Sequence, residues 1–204
     1  TINLYSISDT YVTEVNPANN YGTLAGMLAG TGGSGATRIQ SYIMFNLTPL
    51  TQIGSAPLIV HSATLNLTLT NPQGSAGVAE TLRLIYMYNT SWSEFALTNN
   101  TQPEKTNPSE YYVASFNTTP AGAGGTNISF DLTKFVGWQY SQGTGNISVV
   151  ITPSKLTANK ITVFASRENT TDKPTLTVTY TNQTPVLTVN TSHTYLNYSK
   201  GMMI

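Results

Sequence analysis

The chain has 204 residues and no cysteine, and nine Lys plus Arg balance nine Asp plus Glu, so 9% of residues are charged against about 25% in ordinary soluble domains. This excludes disulfides and thiolate metal sites, and leaves no charge excess for capturing nucleic acid or anionic lipid. No apolar run reaches the roughly 18 residues of a membrane-spanning helix.

In chain order, Thr1–Val15 reads as a strand and Asn16–Gly22 as turn chemistry. Leu24–Ala29 is a short strand followed by a Gly-rich loop, Gly30–Gly35. That loop lacks the Lys-Ser/Thr and following helix of a phosphate-binding loop. Ile39, Tyr42, Met44 and Phe45 mark a strong strand ending near Leu47. In Ile59–Thr70, Ala63, Leu65, Leu67 and Leu69 face one side while Thr64, Asn66, Thr68 and Thr70 face the other. Leu82–Tyr88 and Tyr111–Phe116 are further strands, separated by a loop anchored by Trp92 and Phe95. Pro120–Thr126 is a turn. Ser129–Thr133 leads into the single helical candidate, with Thr133 as its cap and Phe135, Val136 and Trp138 as its apolar face. Ile147–Ile151, Ile161–Ala165 and Thr175–Tyr180 complete about ten strands. The expected fold is all-β: a jelly-roll or Ig-like antiparallel β-sandwich with one short helix and a C-terminal extension strand. The expected organisation is a head domain, 1–181, and a tail, 182–204.

Ser and Thr supply 52 residues and Asn 19, and eleven of those Asn stand in Asn-X-Ser/Thr sequons. These are Asn46, Asn66, Asn89, Asn99, Asn117, Asn127, Asn146, Asn169, Asn182, Asn190 and Asn197. Chance in so Thr-rich a chain places roughly five there, so the excess points to an N-glycosylated extracellular protein. No signal peptide is visible, and the chain opens at Thr1 as a matured secreted protein does. The scarcity of carboxylates points to an acidic or harsh exterior, since acid unfolding proceeds mainly by protonating paired carboxylates.

One ordered motif set runs through the chain. It comprises Asp9-Thr10-Tyr11-Val12, Asn20-Tyr21-Gly22, Arg38–Phe45, Ser62–Leu65, Trp92-Ser93-Glu94 with Leu97–Asn100 and Pro103, and Phe130–Thr133 with Trp138. It closes on Phe164–Glu168 and Pro174–Tyr180. The set resembles the DNRLRE domain family of jelly-roll-like extracellular sandwiches, some of them carbohydrate-binding modules. Two positions depart from the pattern: Asn46 where the family usually has Asp, and Asn99 where Trp commonly follows Thr. The resemblance implies a structural or adhesive role.

Catalytic chemistry has few candidates. A Ser-His-Asp triad would need His61 or His193, and His61 has no local acidic partner. Asp9, Asp131, Glu94 and Glu168 fall in the family-like motifs, where they are expected to satisfy backbone groups or pair with Arg38 and Arg167. No Asp-rich loop has calcium spacing, although Asp9 with neighbouring carbonyls could hold one ion. The sequence therefore reads as a non-enzyme without cofactor. For sugar binding the aromatic candidates are Trp92, Trp138 and the Tyr111–Tyr112 pair, with core packing the expected role of both Trp residues.

The tail carries its own pattern. Asn190 and Asn197 lie seven positions apart, so a single period-2 strand cannot point both outward. A kink near Thr191–Thr194 resolves this. It leaves Tyr195–Ile204 as a strand of roughly 33 Å with Leu196, Tyr198, Lys200, Met202 and Ile204 on one face. Such a strand suits addition to a neighbour's sheet, with each buried apolar knob contributing about 1.5–3 kcal/mol. Lys200 would snorkel to the groove rim or, once desolvated, form an isopeptide bond to a neighbouring Asn or Asp. Thr1–Ile7 is a second candidate donor. In character the chain resembles donor-strand-complemented pilins, in particular glycosylated archaeal surface filaments of the thread type. The main reading is thus a cell-surface filament subunit, assembled head to tail from identical subunits, carrying N-glycans and serving adhesion or biofilm formation. The rival is a non-catalytic carbohydrate-binding or adhesive module of a secreted surface protein.

Overall fold

The computed structural model describes residues 1–33, 36–50, 58–71, 80–103, 112–118, 125–156 and 160–182. Tyr111, His193, Asn190, Asn197 and the whole candidate donor strand lie outside the described residues. The described chain folds in the order β1 (Ile2–Thr13), β2 (Gly26–Gly32), β3 (Thr37–Asn46), β4 (Leu58–Asn71), β5 (Glu80–Met87) and β6 (Tyr112–Thr118). It continues with β7 (Thr126–Asp131), α1 (Thr133–Ser141), β8 (Asn146–Pro153), β9 (Lys160–Ala165) and β10 (Thr175–Asn182). All strand pairs are antiparallel. The all-β sandwich with one short helix is therefore the observed fold.

Topology follows the path β1-β10-β4-β9-β2-β3-β8-β5-β6, and β7, off this path, pairs with β4. An additional β1–β3 pairing closes the first six strands of that path upon themselves. β1 makes this closure by serving two neighbours in turn. Its first part, Ile2–Tyr5, pairs with β10, and Ser6–Thr13 pairs with β3, with a register shift between Ser6 and Ser8. A strand that changes partner through a bulge turns the corner of a sandwich. The side chains next to that bulge are those of the cluster described below.

The alternation expected in β4 is present: Ala63, Leu65, Leu67 and Leu69 are buried in the main core with Phe45, Leu84 and Phe164. β3 shows no alternation, and Ser41–Phe45 are all buried. Ile43 and Phe45 enter the main core, whereas Tyr42 joins Val12, Ile85, Met87, Leu97 and Val150 in a second cluster covered by Trp92. The loop after β5 thus gives the β3–β8–β5 sheet a second buried face, which is why Tyr-Ile-Met-Phe is apolar without interruption.

Two expected boundaries moved. β2 runs to Gly32, through the first half of the anticipated Gly-rich loop. A Cβ at Gly32 would stand 3.0 Å from the Ile39 side chain, so glycine permits the close approach of β2 to β3. Helix α1 is not capped by the Thr133 side chain. The Asp131 carboxylate accepts the Thr133 backbone N–H at 2.8 Å, and the Thr133 hydroxyl accepts the Ala63 N–H at 2.9 Å. Thr133 therefore ties the helix to β4, while the capping carboxylate comes from two residues upstream.

Candidate functional site: an aromatic rim and a buried carboxylate cluster

The helix brings the first feature together. Val136 and Gln139 are its buried residues and Phe135 is half-buried, whereas Trp138 is 41% exposed. This corrects the expectation that Trp138 packs in the core. In β5, Leu82, Leu84 and Tyr86 face inward at period two, and Tyr88 continues that row one step past the end of the core, where it is 50% exposed. The Tyr88 and Trp138 rings lie 5.6 Å apart at a 54° tilt. Beneath them the buried Tyr86 ring meets Trp138 edge-on at 6.2 Å and stacks on Phe135 at 4.8 Å. Tyr86 is held in turn by donating its hydroxyl to Gln139 Oε1. The exposed pair is thus braced from below. Lys134, Ser141 and Gln142 present polar groups around it on the helix surface.

The other candidate aromatics behave differently. Trp92 is half-buried, donates its indole N–H to Ser148 Oγ at 2.9 Å and packs edge-on against Tyr42. Its expected packing role holds. Tyr112 is 45% exposed at the start of β6. His61 is exposed, and its Nε2 lies 2.8 Å from the Thr181 hydroxyl.

The second feature joins motifs from four distant places. Asp9 from β1, Glu94 from the loop after β5 and Glu168 from the turn after β9 each bring a carboxylate oxygen within 4.8 Å of the others. Asp9 Oδ2 accepts the Ser6 hydroxyl and the Arg167 backbone N–H, both at 2.9 Å. Glu94 accepts the Asp9 backbone N–H at 2.8 Å through Oε1 and the Arg167 guanidinium at 2.7 Å through Oε2. The same guanidinium donates to the Ile7 carbonyl at 2.7 Å, so it also satisfies the bulge itself. Glu168 lies 3.5 Å from Arg167 Nε and accepts the Ser166 hydroxyl at 2.9 Å. The fourth motif supplies support. Asn20 Nδ2 donates to the carbonyls of Glu94 and Leu97, and a Cβ at Gly22 would meet the Glu94 carbonyl oxygen at 2.4 Å.

Burial sets the electrostatics. Asp9 and Glu94 are 1% and 2% exposed. Loss of solvation pushes the Asp9 carboxyl up to about 7, against the lowering effect of its hydrogen bonds from Ser6 and Arg167. Desolvation likewise raises Glu94, and the nearby Arg167 only partly offsets it. The expected pairing of motif carboxylates with Arg167 is observed for Glu94 and Glu168. Arg38 instead pairs with Glu14 at 3.4 Å, and Asp131 serves the helix.

Nine of the eleven sequon asparagines fall among the described residues, and none has a buried side chain. Where their hydrogen bonds are defined, Oδ1 accepts. Asn46 takes the Thr48 N–H, Asn89 the Ser91 N–H, Asn169 the Thr171 N–H, and Asn127 the Thr68 hydroxyl. This use of the oxygen is compatible with a glycan on Nδ2.

The fold is that of a β-sandwich module carrying a braced aromatic pair on one rim. A family model for carbohydrate-binding module family 96 matches residues 1–180, and the chain belongs to that family. The match spans the whole ordered motif set, from Asp9 to Tyr180. Among curated proteins, no relative matches the chain. No helix among the described residues is long and apolar enough to cross a membrane.

Proposed function

We propose that the protein is a non-catalytic carbohydrate-binding and adhesive module of an extracellular, N-glycosylated surface protein. Tyr88 and Trp138 are its sugar platform. The observation that carries this reading is the exposure of two large aromatic rings on a buried aromatic support. Two exposed aromatic rings in contact make a contiguous apolar patch, and sugar rings present apolar C–H faces to aromatic planes while their hydroxyls reach polar neighbours. Trp138→Ala and Tyr88→Ala should each weaken retention on the cognate polysaccharide at least about tenfold, with unchanged circular dichroism. A panel of neutral and acidic polysaccharides in affinity electrophoresis identifies the ligand. Retention of both variants equal to the parent protein would refute the platform.

A second reading is the homopolymeric filament, with residues Leu196, Tyr198, Lys200, Met202 and Ile204 donated to a neighbour. One observation favours it. Asn182, the last residue of β10, pairs with Leu58, and Leu58 lines a groove of about 560 Å³ with Leu47, Leu50 and Tyr140. The last residue of β10 therefore lies beside a groove that Thr48, Ser141 and Thr144 line together with these apolar side chains. Negative-stain microscopy of the native protein and of a form ending at Asn182 tests this: filaments in the first and none in the second support it. Filaments in both would exclude the tail as donor.

A further inference from the structure

We propose that Asp9, Glu94 and Glu168 form a binding site for one calcium-class divalent cation at the corner where β1 changes partner strands. The carboxylate spacing is the first observation, with oxygens from all three residues within 4.8 Å of one another. Ligands on opposite sides of a Ca²⁺ ion stand roughly 4.6–5.2 Å apart, twice a metal–oxygen distance of about 2.3–2.6 Å, so the spacing fits one coordination sphere. The second observation is independent of proximity. Asp9 Oδ1 is buried without a hydrogen-bond partner, although the residue is only 1% exposed. A buried, unpartnered carboxylate oxygen is unfavourable, and an ion is one of the few things that satisfies it.

Charge points the same way. The three carboxylates, with the Arg167 guanidinium that pairs with Glu94 and Glu168, sum to −2 when ionised, which is the charge one divalent cation neutralises. Lone pairs remain for it. Asp9 places both of its accepted hydrogen bonds on Oδ2, and Glu94 takes one on each oxygen, of about four sites on a carboxylate. The donors are all oxygen, which selects a hard cation over zinc or copper.

The site also has a way in. Ser6, Arg167 and Glu168 line an open polar cleft of about 620 Å³ together with Tyr5, Thr170, Thr171 and Lys173. Arg167 and Glu168 keep 36% and 27% side-chain exposure, so an arriving ion meets Glu168 first and the buried pair behind it. In the bound state Arg167 orients Glu94, as partners behind a metal ligand commonly do. The ion would clamp β1, the loop after β5 and the turn after β9 together, three segments with no covalent cross-link among them.

The test uses the full chain, treated with chelator and dialysed. Isothermal titration with CaCl₂ should give one saturable site, and calcium a hundredfold above its Kd should raise the Tm by about 5–10 °C. Asp9→Asn should remove both responses. Because that variant alters a buried network, Glu168→Gln on the more exposed side supplies a second reading. It should weaken calcium binding at least tenfold while leaving the Tm in chelator near that of the parent. Absence of both heat and Tm shift at millimolar calcium in the parent protein would overturn the site. So would a calcium response undiminished in the two variants. An equal response to MgCl₂ would overturn the calcium assignment, because magnesium demands a tighter sphere.

Discussion

The backbone N–H of Arg167 donates to Asp9 Oδ2 at 2.9 Å across 158 positions of sequence. Through that bond and the guanidinium bond to the Ile7 carbonyl, the turn after β9 holds the β1 bulge from both backbone and side chain. Glu94 completes the fastening by accepting from Asp9 and from Arg167 at once. The corner of the sandwich is therefore held by polar contacts where the apolar core does not reach.

Glu94→Ala should be among the most destabilising single substitutions outside that core. It strips the acceptor from the buried Asp9 N–H and leaves the Arg167 guanidinium with only the more distant Glu168 carboxylate. Arg167 is partly exposed, so the loss falls at the lower end of the range for breaking buried pairs, about 2–4 kcal/mol. Guanidinium denaturation in chelator measures it. A loss below about 1 kcal/mol would show that the network contributes little.

Gly22→Ala should damage the same place from the other side. The new methyl would meet the Glu94 carbonyl oxygen at 2.4 Å and its Cγ at 2.7 Å, and the former is backbone that cannot swing away. Displacing it strains the Asn20 bonds to Glu94 and Leu97, at about 1–3 kcal/mol. Gly125→Ala is the informative contrast: it has no neighbour within 4 Å but a φ of +91°, so any loss there reports backbone strain alone. A Tm for Gly22→Ala equal to that of the parent would contradict the close packing.

Acid should stabilise the chelated protein before it destabilises it. Ser6, Arg167, Glu94 and Glu168 face the Asp9 carboxyl, which burial raises from 3.8 to about 7. The folded state binds this proton more tightly than the unfolded chain does. Its contribution, on the order of a few kcal/mol, is fully present below the unfolded value and disappears as pH rises through about 7. Asp131 works in the opposite sense. Its hydrogen bonds from Thr133 hold it below 3.8, so its small contribution is lost as pH falls further. Calorimetry in chelator should show Tm rising from pH 8 to pH 4, and Asp9→Asn should flatten that rise. A Tm falling between pH 7 and pH 4 would contradict it.

Glycan occupancy should be correlated at one pair of sequons. Asn46 and Asn146 are direct cross-strand partners of β3 and β8, which places their Cβ atoms about 4.5–5.5 Å apart. Two branched glycans rooted that closely compete for the same space. Intact-mass and glycopeptide analysis should find doubly occupied molecules at less than the product of the single occupancies. Independent occupancy would refute the steric argument.

The sequence by itself determined nine of the ten strands in their chain order. Alternation in β4, the apolar run in β3 and the turn residues at Asn16–Gly22 are properties of neighbouring positions, so they survive without knowledge of the fold. The all-β class and the role of Arg167 as a carboxylate partner were legible for the same reason: three arginines leave few choices for the motif acids. β7 was not read as a strand, because Asn127-Ile128-Ser129-Phe130 is short and runs straight into the helix. What no local pattern encodes is convergence. Asp9, Glu94 and Glu168 meet only because β1 changes partner at its bulge and the loop after β5 returns to that corner. Trp138 is exposed only because Val136 and Gln139 already occupy the buried side of α1, a competition for space that the tertiary packing alone decides.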